Sequence, residues 1–130
     1  MTERQLIVSG SSYEDKVGFA RAVVLDGWVY VSGTGGFDYR DMSISDDVVE
    51  QAEQCLRNVG DALVEAGASF ADVVRVRYIL VDKADFPSCW PALRGCFGDV
   101  KPAATMFECG MADPKMKIEI EVDAKLNSGR

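Results

Sequence analysis

The sequence predicts an α+β fold in which a β-sheet of about six strands packs against two helices. Asp26-Gly27 separates two β-rich runs, Ala20 to Leu25 and Trp28 to Gly33, and Asp-Gly in that setting is a hairpin turn. Val49, Ala52, Leu56, Val59 and Leu63 recur at alternating spacings of three and four, which lines one side of a helix. Residues 117 to 124, Lys-Ile-Glu-Ile-Glu-Val-Asp-Ala, alternate charged with apolar, the period of a strand with one dry face.

The elements follow in order. Arg4 to Val8 is the first strand candidate, and the hairpin supplies the next two. After a loop through Thr34-Gly35-Gly36-Phe37-Asp38, Ser45 can cap a helix whose first turn holds Asp46 and Asp47, where the helix dipole favours anions. Gly67 stops it. Val73 to Val81 reads as a strand, and Phe86 to Phe97 as a second helix opened near Asp85 and Pro87. Residues 102 to 109 and 117 to 124 close the chain as two strands joined through Asp113-Pro114. The order β-β-β-α-β-α-β-β is that of an α+β sandwich. In the last strand Ile118, Ile120 and Val122 meet the helices. Lys117, Glu119, Glu121 and Asp123 lie on the face that must be wet or meet another subunit.

Composition restricts the chemistry. The 130 residues read as one domain, 1–130, able to bury a core without disulfides or metals. A net charge of −7 leaves no basic surplus to displace counterions from nucleic acid, and no apolar run approaches the roughly 20 residues that span a bilayer. Nucleic acid and membrane are therefore not expected partners. The four cysteines are far apart and the opening Met-Thr-Glu-Arg-Gln lacks a signal peptide's apolar stretch, so reduced thiols in the cytoplasm are expected. There is no histidine, the commonest general base and transition-metal ligand, and no cofactor or metal is expected. Chemistry is left to carboxylates, hydroxyls, thiols, water and backbone groups.

Pro102-Ala-Ala-Thr-Met-Phe-Glu-Cys109 and the strand 117 to 124 resemble the C-terminal signature of the reactive-intermediate deaminase family (Rid, RidA/YjgF/L-PSP endoribonuclease). Gly18-Phe19-Ala20-Arg21-Ala22-Val23 and Val29-Tyr30-Val31-Ser32-Gly33-Thr34 extend the resemblance over nearly the whole chain. It implies a chorismate-mutase-like fold and a homotrimer with a central β-barrel, helices outside, and small-molecule clefts between neighbouring subunits. It also implies hydrolysis of imines or enamines, such as 2-aminoacrylate, to ketoacids and ammonia.

Carried over residue by residue, the resemblance makes Glu119 the water-activating catalytic group. Gly33 matches, with Thr34 beside it. Phe19 stands where Tyr is frequent, Trp90 near a common Asn, and Met106 at a frequent Cys. Ala104 occupies the place of the Arg that grips a substrate carboxylate, and a methyl group cannot replace a bidentate cation. Phe19, Gly33, Thr34, Trp90, Ala104 and Met106 are thus the expected substrate-binding residues, in a pocket shifted toward apolar ligands.

Each of these has a plainer reading. Glu119, Glu121 and Asp123 form a solvated face or pair across a trimer. Arg75 and Arg77 share a strand face and either replace the lost cation or pair with acids on a neighbouring strand. Without histidine to activate it, Cys109 reads as a small buried filler. Thr34-Gly35-Gly36 either offers backbone N–H groups to an oxyanion or is a turn. Trp90 and Phe37 line an aromatic pocket or fill core. Three functions follow: a divergent hydrolase of imines or enamines using Glu119, a trimer that binds a small molecule or protein without turnover, and an endoribonuclease. Acidic charge and absent histidine make the last the weakest.

Overall fold

The computed structural model describes residues 3–129. Eight strands and three α-helices follow in the order β1 (Gln5–Ile7), α1 (Ser12–Val17), β2 (Ala22–Leu25), β3 (Trp28–Thr34), β4 (Phe37–Asp38), β5 (Ser43–Ile44), α2 (Val48–Glu65), β6 (Val73–Leu80), α3 (Phe86–Phe97), β7 (Ala103–Glu108) and β8 (Ile118–Lys125). Six strands form one sheet, ordered β1-β2-β3-β8-β6-β7, and β4 with β5 makes a separate ribbon. The main sheet is antiparallel except at its edge, where β7 runs parallel to β6. Such a pair needs a crossover, and α3 supplies it.

The alternation of β8 sets the layers. Ile118, Ile120, Val122 and Ala124 are fully buried, while Glu119, Glu121, Asp123 and Lys125 are partly exposed on the opposite face. Val29 and Val31 of β3 and Val76, Tyr78 and Leu80 of β6 join them in one core with Ala52, Leu56, Val59 and Leu63 of α2. Burying each large aliphatic side chain stabilises the fold by about 1.5–3 kcal/mol. Val49 lies at the margin of the stripe and is only partly buried.

Three local expectations are corrected. Asp47, rather than Ser45, caps α2: its carboxylate accepts the Glu50 N–H at 2.9 Å, and Ser45 donates instead to the Glu50 carboxylate at 2.6 Å. A third helix, α1, accompanies the two expected, with Ser11 as its N-cap and Gly18 ending it at φ 95°. Cys109 is exposed rather than buried, because it lies beyond β7 at the sheet edge.

Candidate functional site

The site residues fall into two groups on different strands. In the first, β3 carries one extra residue between Val31 and Thr34 relative to β8, a bulge that sets Gly33 against Glu119. A Cβ built on Gly33 would overlap Glu119 Oε1, so any side chain here would push the carboxylate aside from this position. Burial raises the Glu119 carboxyl above its ordinary value, Glu121 adds to that, and Arg21 opposes it. Lys117, just before β8, is engaged elsewhere: its Nζ donates to the Asp46 carbonyl at 2.6 Å.

Arg21 holds this bulge. Its guanidinium donates to the Gly33 carbonyl at 2.8 Å and to Thr34 Oγ1 at 3.1 Å, and pairs with Glu14 of α1 at 3.4 Å. The rings of Phe19 and Tyr39 each lie 5.3 Å from its Cζ, a cation–π arrangement on both. Ser9 in turn hydrogen-bonds the Glu14 carboxylate through its hydroxyl and its N–H. Arg21 and Glu14 are 4% and 5% exposed, so this charge pair is inside the protein rather than on it. Burial pushes the Tyr39 phenol up to about 12, which keeps it neutral. Thr34 is fully buried and Phe19 half-buried.

The second group lies on the helix-facing side of β6 and β7. Met106 is in register with Tyr78 and Ala104 with Val76. Ala104 is exposed and Met106 packs against the core. Trp90, on α3, stands edge-on to Phe86 at 5.9 Å and 85°, and Phe86 lies 5.5 Å from Tyr78. These aromatics border a cavity of about 230 Å³. Phe19, Gly33, Thr34 and Glu119 do not line it. A larger groove of about 850 Å³ follows α2 and reaches Arg21 and Tyr39, but Glu119 and Gly33 are not on its wall either.

A model of the endoribonuclease L-PSP family matches residues 10–126. The chain belongs to this family. It is 32% identical over 107 residues to a human 2-iminobutanoate/2-iminopropanoate deaminase, spanning 82% of this chain and 78% of the relative. A crystal structure from Mycobacterium tuberculosis, a member of the YjgF/YER057c/UK114 family, is 34% identical with a TM-score of 0.87, over 95% of this chain and all of the other. Escherichia coli TdcF, solved with bound serine, is 25% identical with a TM-score of 0.76, over 82% of this chain and 87% of the other. The six-stranded sheet with its helices is the fold of this Rid family.

Other candidates take structural roles. Arg77 pairs with Glu121 at 3.3 Å and Asp123 at 3.4 Å across the strands, while Arg75 is in register with Asp123. Gly36 is a packing glycine, since a Cβ would lie 2.7 Å from the Gln51 carbonyl oxygen of α2. The Gly35 carbonyl accepts from Asn58 of α2 at 3.0 Å. Phe37 is buried and packs against Tyr13 at 6.1 Å, away from Trp90. All four cysteines are free, and burial pushes the Cys89 thiol up to about 11 and Cys55 higher still, so neither is a ready thiolate. Among the described residues no cluster of three or more His, Cys, Asp or Glu could hold a metal, and no helix is long and apolar enough to cross a membrane.

Proposed function

We propose that this chain acts on a small imine- or enamine-like metabolite in a cleft between subunits of a cyclic homotrimer, with Glu119 activating water. The observation that carries the reading is the Glu119 carboxylate against Gly33, half-buried and with its proton affinity raised toward that of a useful general base. The separation of the two residue groups within one chain supports it. Neither group makes a closed site alone, and a neighbour's β7 edge set against the Gly33 bulge would join them. In the reaction the water oxygen attacks the carbon of the N-protonated imine while Glu119 takes one water proton, which gives a neutral aminol. Glu119 returns that proton to the nitrogen, and the C–N bond breaks as the aminol hydroxyl gives its own proton back to Glu119, leaving the ketone and ammonia, which then takes the proton up.

Ala104 separates this chain from deaminases that hold a carboxylate with Arg at that place. Loss of a buried charged contact costs on the order of 2–5 kcal/mol, enough to slow 2-aminoacrylate hydrolysis at least tenfold. A coupled ammonia-release assay against the human relative tests both parts. Slow turnover that Glu119→Gln abolishes is expected, because an amide cannot accept the proton. Turnover equal to the relative's would defeat the argument from Ala104, and activity unchanged in Glu119→Gln would defeat the role of Glu119. The same Ala104 favours a second reading, a trimer that binds its ligand without turnover. Under it, Glu119→Gln changes affinity alone.

A further inference from the structure

Arg21 is the only buried cation among the described residues, and its charge is only partly engaged. Its backbone is fixed on both sides: the N–H donates to the Ile7 carbonyl at 2.8 Å, and the carbonyl accepts from the Ser32 N–H at 2.9 Å. Within the guanidinium, Nη1 donates to the neutral oxygens of Gly33 and Thr34, and Nη2 reaches the Glu14 carboxylate at 3.4 Å, longer than an ordinary N–H···O bond. Nε is buried with no acceptor at all. Glu14 is itself shared, because the N–H and the hydroxyl of Ser9 both donate to it. A cation held in this way, among aromatic rings and away from water, keeps a field that other groups feel.

Gly33 links this cation to Glu119. Arg21 holds the Gly33 carbonyl at 2.8 Å, while Glu119 Oε1 lies where a Gly33 side chain would begin, so a single glycine separates the two charges. The other groups around Glu119 offer it no free cation. Arg77 of β6 is bound to Glu121 and Asp123, and Lys117 is held by the Asp46 carbonyl. Ile79, opposite Glu119 on β6, is apolar. Tyr39, in the turn between β4 and β5, and Cys55 of α2 stay neutral because burial raises both. Glu121, farther along β8, brings like charge. Burial and Glu121 thus both favour the protonated acid, and Arg21 is the group that opposes them.

We propose that Arg21 is a positioning residue for Glu119: across Gly33 its charge keeps Glu119 a carboxylate at neutral pH, ready to take a proton from water, while its Nη1 contacts fix the bulge on which that carboxylate rests. The assignment rests on the proposed function in one respect, that Glu119 is the base. Arg21 need not touch the substrate. Its action on Glu119 takes place within one chain and can be read without turnover, so failure of the two readings is distinguishable.

Carboxyl-carbon NMR titration of the full chain tests it, the Glu119 signal being the one that Glu119→Gln removes. Changing the ion pair as a unit, Arg21→Met with Glu14→Gln, should raise the Glu119 midpoint by about one pH unit, about tenfold in proton affinity, and carry the pH dependence of turnover with it. Glu14→Gln alone should lower the midpoint or leave it unchanged, because Arg21 then loses its acid. Arg21→Lys keeps the charge without the forked contacts and should hold the midpoint near that of the wild type. A purely structural role predicts that Lys behaves as Met does. The wild type gives a reading that needs no Arg21 variant: its Nε–H signal should inflect at the Glu119 midpoint, and Glu119→Gln should abolish that inflection. A midpoint unmoved by the double change, one raised equally by Arg21→Lys, or an Nε–H signal with no inflection overturns the proposal. If that happens while Glu119→Gln still abolishes turnover, this inference falls and the proposed function stands. Coupling of Arg21 to Glu119 with turnover unchanged in Glu119→Gln leaves the reverse.

Discussion

Glu119 carries a pH signature that does not depend on knowing the substrate. Its folded carboxyl sits above the ordinary value of 4.5, so the native state holds the proton more tightly than the unfolded chain. The stability it contributes is complete below 4.5 and is lost as pH rises through the raised value. Glu119→Gln cannot ionise and should therefore match the wild type near about pH 3.5 but exceed it in stability at neutral pH, a difference that urea unfolding at the two values measures. A constant difference would remove burial as the cause. Turnover should run the other way, rising with pH through the same value as the basic form accumulates. Glu119 and Gly33 were readable from their match to the family's motifs. Arg21 was not: an arginine entering a strand reads as surface, and only Glu14, from another element, and two aromatic rings make it an interior group.

At the scale of elements, α1 acts as a strap. Its six residues bring Glu14 under Arg21, and Arg21 then fixes the bulge that places Gly33. Breaking one side of a buried ion pair costs about 3–5 kcal/mol because a charge is left without its partner, whereas replacing both sides costs much less. Glu14→Gln alone should thus destabilise by about that amount, and Glu14→Gln with Arg21→Met by clearly less than the sum of the two single changes. Chemical unfolding of the four proteins gives the cycle, and simple additivity would show that the pair does not act as a unit. The long elements were legible because periodicity needs length: Phe86–Phe97 matches its expected bounds, and α2 begins within a few residues of its own. A one-and-a-half-turn helix and a two-residue ribbon have no period to read, although Ser11 and Gly18 were a usable pair of stop signs for α1.

For the whole molecule, the edge strand is decisive. Five of the six residues of β7 are exposed, Phe107 at 48%, and its outer edge has no strand beside it in the main sheet. Open edges invite pairing. In the homotrimer we propose, this strand and its aromatic are covered, so light scattering should give three times the chain mass across concentrations. Phe107→Asp should lower that mass to one chain with its own melting transition intact. A wild-type monomer or dimer would remove the intersubunit cleft. The division of the site into two groups could not be read from the sequence, because adjacency on a strand says nothing of which strands a neighbouring subunit brings close.

The sheet order has a further consequence, for the timing of manufacture. β8 sits between β3 and β6 yet is made after all the others, and β3 is complete 84 residues before β8 begins. At about 5–20 residues per second, synthesis leaves β3 without its inner neighbour for roughly 4–17 s. During that wait Val29 and Val31 have no strand on that side, and the bulge residue Gly33 has no carboxylate to receive. The nascent chain is thus a meander and a helical crossover unit in search of their shared centre, and the strand that joins them is the one that delivers Glu119.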